Sequence, residues 1–148
     1  TIPVVVWGYS LGGAIAVHCS ARLSQDPIFK AYRSRVRLLL IAPFESAIST
    51  VVNRWVTKLF MWPIDMFRTQ TAHLISIPVY ILHGGADTIV PASESSALIS
   101  KMTSTRVRHM VIVKNMGHEV FADTSFETLI KELLHYKQHH LMLPYPSY

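Results

Sequence analysis

Pro3-Val4-Val5-Val6-Trp7-Gly8-Tyr9-Ser10-Leu11-Gly12-Gly13-Ala14-Ile15-Ala16-Val17 reads as a short apolar strand, a tight turn and a helix of small residues. The turn is a G-x-S-x-G pentapeptide over 8–12. A serine set between a buried strand and a helix is a nucleophile elbow: the tight turn forces the serine backbone into strain and lifts its Oγ clear of the sheet. Gly8 and Gly12 lack a Cβ, so strand and helix are expected to pass close to each other at both. The helix N-terminus then lies beneath Ser10.

Two further stretches repeat this placement. His83-Gly84-Gly85-Ala86-Asp87 follows the apolar run Ile77-Pro78-Val79-Tyr80-Ile81-Leu82, and Gly117-His118 follows the run Val107 to Val113. Ser10, Asp87 and His118 each fall just past the end of a predicted strand. In open parallel sheets the site lies outside the carboxyl ends of the strands, so one crevice can hold all three.

The remaining chain alternates strand and helix. Strands are predicted over 3–7, 36–42, 79–83 and 107–113. Helices are predicted over 11–23, from Pro91 to about 102, and from Thr124. Pro91 sits in a first helical turn, where its missing N–H costs nothing. Thr124-Ser125-Phe126-Glu127 reads as a capping box, and Phe126, Leu129, Ile130, Leu133 and Leu134 recur at helical spacing and are expected to dock on the sheet. The helix after Ser10 is apolar or small on nearly every side and is expected to be buried all round. The fold class is therefore α/β with a parallel sheet.

Residues 45–67 break the alternation. Val51, Val52, Trp55, Val56, Leu59, Phe60 and Trp62 share one helical face, opposite Asn53, Arg54, Thr57 and Lys58, and Pro63 ends it. Packing of that face on the core is one reading. The sharper ones are a lid over the site or an interfacial helix meeting lipid. Tyr9, Trp55 and Trp62 are candidates for lining a substrate pocket.

Bulk properties narrow the classes. At 148 residues the chain is one domain at most, over 1–140, with a Pro-rich tail at 141–148. It begins at Thr1 without Met and enters a strand at once, which reads as a piece of a longer protein. The half of the chain that is apolar suits strands buried on both faces, and no apolar run is long enough to span a membrane. Cys19 is the single cysteine. It excludes an internal disulfide and is expected to be a packed core thiol. The eight histidines are scattered without zinc spacing, so no metal is expected. The net charge of +5 includes one cluster, Lys30 to Arg37, read as a solvated loop. A nucleic-acid patch is the less favoured alternative, and a basic surface also suits anionic membranes.

The elbow Gly8-Tyr9-Ser10-Leu11-Gly12, the loop His83-Gly84-Gly85-Ala86-Asp87-Thr88-Ile89-Val90-Pro91 and Gly117-His118 resemble the C-terminal half of an α/β-hydrolase. The likeness runs to about His139, nearest to abhydrolase-domain serine hydrolases of the monoglyceride-lipase, lysophospholipase and serine-aminopeptidase type. The order Ser, Asp, His is that family's order. The resemblance implies Ser10 as nucleophile, Asp87 as acid, His118 as base and the Leu11 N–H as one oxyanion donor. Glu45, after the second strand, is the competing acid. The family's earlier strands and second oxyanion loop have no counterpart here, so the first strand is expected to be an open apolar edge and the isolated chain to be inactive. The implied activity is hydrolysis of an ester, thioester or amide of a small, lipid-like acyl substrate without a cofactor. Peripheral membrane contact stays open, and localisation is unassigned beyond a weak lean to cytoplasm or membrane surface. The alternatives are a serine-aminopeptidase-like peptidase and a non-catalytic binding module. His83 is read as a structural hydrogen-bonder rather than a second base.

Overall fold

A computed structural model describes residues 4–46, 69–122 and 124–135. The candidate lid and pocket residues Trp55 and Trp62, and the tail at 141–148, lie outside them.

The elements are β1 (Val4–Tyr9), α1 (Leu11–Gln25), β2 (Val36–Ile41), β3 (Val79–Gly84), α2 (Ala92–Lys101), β4 (Arg108–Val113) and α3 (Thr124–His135). Short 3₁₀ turns at Phe29–Ala31, Arg33–Arg35, Gln70–Leu74 and Val120–Ala122 join them. The four strands form one sheet in the order β1-β2-β3-β4, every pair parallel.

Side-chain alternation along a strand splits the core into two layers. Leu38, Leu40, Val79 and Ile81 face one side, packed by Ala16, Val17 and Ala21 of α1, by Leu98 and Ile99 of α2 and by Ile75 and Ile77. Leu39, Ile41, Tyr80 and Leu82 face the other, where Phe126 and Ile130 of α3 pack against them. Every residue of β2 and β3 is buried, which is why residues 38–41 and 79–82 within them read as unbroken apolar runs. Truncating Leu38 or Leu40, neither of which touches solvent, is expected to cost about 2–5 kcal/mol.

β1 is an edge of this sheet among the described residues, and Val4 and Trp7 are more than half exposed. The open apolar edge expected there is present. Two expectations are corrected. α1 is not buried all round: Ala14, Ala16, Val17 and Ala21 face the core, while Leu11, Ile15 and Leu23 face out. A helix laid on one face of a sheet, next to its edge strand, has a neighbour on one side only. Cys19 lies on the outer side and is exposed rather than packed. The basic cluster is an exposed pair of turns as expected, except that Arg37 is buried, with Nη1 donating to the carbonyls of Ser34 (2.7 Å) and Val36 (3.0 Å).

Candidate active site

Ser10 follows the last residue of β1 directly and precedes the first of α1. Its N–H continues the sheet by donating to the Ile41 carbonyl at 2.9 Å, while its own carbonyl accepts from Gly13 at 2.8 Å. One residue must therefore turn the chain from strand to helix, and it does so at φ 49°, ψ −118°, a left-handed φ that costs a non-glycine residue energy. An ordinary N-cap serine spends its hydroxyl on the helix's first free N–H groups. Ser10 makes no such bond.

The turn closes because Gly8 has no side chain. A Cβ there would stand 2.5 Å from the Gly12 carbonyl oxygen and 2.6 Å from Gly13 Cα. The space around Gly12 is open, so the close approach expected at both glycines belongs to Gly8 alone. Gly13 instead faces Pro43, 3.3 Å from the position of a Cβ.

Asp87 lies three residues past β3 with its side chain wholly buried. Oδ1 accepts from the N–H groups of Ile89 and Val90, both at 2.8 Å. Oδ2 lies 2.7 Å from His118 Nδ1. Burial alone would raise this carboxyl. The Val90 N–H, the His118 imidazole and the Ile89 N–H outweigh it, and the group is held below the usual carboxylate range. Asp87 does not cap α2, whose N-cap is Pro91.

His118 reaches Asp87 through a second glycine contact. A Cβ on Gly84 would meet the carbonyl oxygens of Gly117 at 2.0 Å and of Met116 at 2.4 Å. The turn that presents His118 thus passes over the bare backbone at the end of β3. Ala86 N–H donates to the Met116 carbonyl at 2.9 Å and ties the two loops together. Asn115, at φ 65°, makes the reversal after β4, and an asparagine tolerates that region better than most residues.

Tyr9 packs its ring against His118, with centroids 5.2 Å apart, and meets Phe121 edge-on at 5.5 Å. Burial first, then the Glu119 and Asp87 carboxylates, push its phenol up, so it stays protonated. Among the described residues no hydrogen bond joins Ser10 Oγ to His118. The ring of Tyr9, the residue before Ser10, lies against the imidazole. Leu11 opens α1, so its N–H belongs to the unbonded first turn. Glu45 is engaged elsewhere, with Oε1 on Lys101 Nζ at 2.5 Å. Among the described residues no group of three or more His, Cys, Asp or Glu is placed to hold a metal, and no helix is long and apolar enough to cross a membrane.

The sequence reading placed Ser10, Asp87 and His118 at strand ends. It missed Gly84 and Asn115, and it did not foresee that Tyr9, named as a pocket candidate, packs on His118. The Gly84-Gly85 pair was a visible sign of close backbone approach, and Asn115-Met116-Gly117 was a visible turn signal.

The family model described as serine aminopeptidase, S33, matches residues 49–125. No curated protein matches the chain. Many solved structures are similar in fold, three of them as follows. Monoacylglycerol lipase from Paleococcus ferrophilus gives a TM-score of 0.58 at 15% identity, covering 90% of this chain and 68% of the lipase. An esterase from Pyrococcus furiosus gives 0.60 at 14%, covering 90% and 53%. Acylaminoacyl peptidase from Pyrococcus horikoshii gives 0.63 at 13%, covering 93% and 25%. The chain thus spans about two thirds of the lipase, half of the esterase and a quarter of the peptidase, and the likeness is one of α/β-hydrolase fold.

Proposed function

The chain belongs to the serine aminopeptidase S33 family of α/β-hydrolases, and from that premise we propose that it carries the nucleophile, acid and base of a serine hydrolase. The observation that carries this reading is the 2.7 Å bond between His118 Nδ1 and buried Asp87 Oδ2, at the same end of the sheet as the strained, uncapped Ser10. The bond to Asp87 takes Nδ1, so Nε2 is the nitrogen left for the serine. Ser–His hydrogen bonds that are long or unformed without substrate often tighten in the reacting complex.

Ser10 Oγ attacks the acyl carbonyl as His118 Nε2 takes its proton. Asp87 fixes the imidazole's tautomer and stabilises the imidazolium. The proton then goes to the leaving group, and water, activated by the same imidazole, releases the acyl-enzyme. The Leu11 N–H and the positive end of α1 stabilise the developing oxyanion. The chemistry is proposed for a parent protein that carries, besides this chain, the family's earlier strands and second oxyanion loop. The isolated chain is expected to be inactive.

A lipid-like acyl ester or thioester is the favoured substrate, supported by the lipase and esterase among the similar folds. A peptidase is the second reading, supported by the family's description and by the acylaminoacyl peptidase. The deciding experiment is fluorophosphonate labelling of the parent and of its S10A and H118A variants. Labelling lost in both supports the mechanism, and rates on acyl esters against aminoacyl amides then separate the two substrates. A folded parent that takes no label refutes the mechanism and leaves a binding module.

A further inference from the structure

His83, the last side chain of β3 before Gly84, is wholly buried and has no part in the proposed mechanism. Its partners fix its proton. Nε2 lies 2.8 Å from the Val90 carbonyl and 3.4 Å from Asp87 Oδ2. Both are acceptors only, so Nε2 carries hydrogen. Nδ1 lies 2.6 Å from Ser95 Oγ. Burial, the largest influence on the ring, holds it below the ordinary histidine range despite Val90 and Asp87. The ring is therefore neutral, with Ser95 donating to Nδ1. Ser95 Oγ also lies 3.1 Å from the Pro43 carbonyl, but its one hydrogen goes to the nearer Nδ1, so this approach is a contact beside the end of β2 and not a second donated bond.

The consequence is geometric. Val90 is gripped at both of its backbone groups: its N–H donates to Asp87 Oδ1 and its C=O accepts from His83 Nε2. The turn 87–90 is thereby fixed to the rigid end of β3. With Oδ1 committed to that turn, the position of the turn sets where Oδ2 points. Adjacent residues thus govern the two halves of one hydrogen bond: His83 sets the turn that carries Asp87, and Gly84 admits the turn that carries His118.

We propose that His83 is a positioning residue, whose Nε2–H braces the Val90 carbonyl and the Asp87 carboxylate so that Oδ2 stays aligned on His118 Nδ1. The catalytic consequence rests on the triad reading above; the alignment itself does not.

The test pairs two amides in the parent protein. H83N keeps a polar group near the position of Nδ1 and has none at Nε2, whereas H83Q returns an amide N–H to the position of Nε2. Two readouts are taken: kcat and KM on a soluble nitrophenyl acyl ester, and the low-field proton resonance of the His118 Nδ1–H···Asp87 bond. H83N is expected to lower kcat about 10- to 100-fold, the scale of a small misplacement of a catalytic group, with KM within about twofold, and to shift or broaden the resonance. H83Q is expected to restore most of both. An unmoved resonance in folded H83N, or equal damage in the two variants, overturns the proposal. If S10A labels like wild type, the hydrolase reading falls, but the resonance still decides for or against His83. If H83N does not fold, ¹⁵N-histidine spectra of the wild type decide: the Nε2–H tautomer at His83 is required, and the Nδ1–H tautomer refutes the brace.

Discussion

Replacing Gly84 by alanine adds one methyl group where two backbone segments cross. Its Cβ would stand 2.0 Å from the Gly117 carbonyl oxygen, 2.4 Å from that of Met116 and 2.9 Å from Gly117 C, whereas real Cβ contacts essentially never fall under 3.0 Å. All three atoms are backbone, so no rotamer change relieves the overlap. Reaching 3.0 Å from 2.0 Å requires a shift of about 1 Å between the end of β3 and the turn 116–118, on the scale that costs about 10²-fold in turnover when a reacting group is misplaced. Overpacking of this kind is expected to destabilise by about 1–3 kcal/mol. Gly85 provides the control, because a Cβ there meets nothing closer than 3.4 Å and its φ is not positive. G85A is expected to keep activity within about twofold and to gain a few tenths of a kcal/mol from a less flexible unfolded chain. Urea midpoints of the two variants, with fluorophosphonate labelling rates in the parent protein, make the comparison. The labelling half rests on the proposed mechanism; the stability half does not. If G84A unfolds at the same urea concentration as G85A, the contact between the two loops has been misread.

The elbow carries a matching pair: G8A is expected to lose about 1–3 kcal/mol because its Cβ would strike Gly12 O and Gly13 Cα, while G12A, facing open space, is expected to stay within about 1 kcal/mol of wild type, and equal urea midpoints for the two would refute the crossing. On the triad reading D87N is expected to lower turnover by about 10⁴, whereas E45Q weakens the partly exposed pair with Lys101, an ion pair of a kind that contributes about 1 kcal/mol or less, and is expected to keep near-wild-type turnover; kinetics showing the reverse would move the acid to Glu45. Because burial holds His83 below its ordinary value, the folded state favours the neutral ring, so stability is full above about pH 6.5 and declines on acidification by at most about 1.4 kcal/mol per pH unit for that one proton, a limb absent in H83Q; urea midpoints in which H83Q retains the full wild-type limb would sink that assignment. The Asp87 carboxyl is likewise held low, so its contribution is present above the ordinary aspartate range and lost only as pH falls through the lower folded value, and D87N is expected to flatten that second limb.

What could be read from the sequence was local. β2 and β3 are buried on both faces, so Leu38-Leu39-Leu40-Ile41 and Val79-Tyr80-Ile81-Leu82 announce strands without any partner being known. That the sheet is parallel followed from strand-helix alternation, because a parallel connection needs a crossover, usually a helix, whereas the order of the strands in the sheet comes from the structure. The serine turn was legible because two glycines and a serine sit between a strand pattern and a helix pattern. By contrast, α1 shows a small-residue pattern on every side, and composition alone cannot say which side meets the sheet. Its outward Leu11, Ile15 and Cys19 are a property of where the helix lies, next to an edge strand.

The site was half legible for the same reason. A side chain's place past a strand end is a local fact, and Ser10, Asp87 and His118 could each be put there. Which side chains then touch depends on segments distant in sequence. Gly84 matters because of Gly117, thirty-three positions away, and a backbone approach of that kind leaves no periodicity in either segment. His83 reads as a structural hydrogen-bonder at a strand end, and it is one, but its partners Val90, Ser95 and Asp87 are named only by the fold. The Asp87–His118 pair is built on backbone: a carboxylate committed on one oxygen to two peptide N–H groups, and a histidine turn seated on a glycine. Neither device requires a large or charged neighbour. Substitutions at glycine and turn positions therefore probe the Asp87–His118 geometry more directly than changes to the surrounding core.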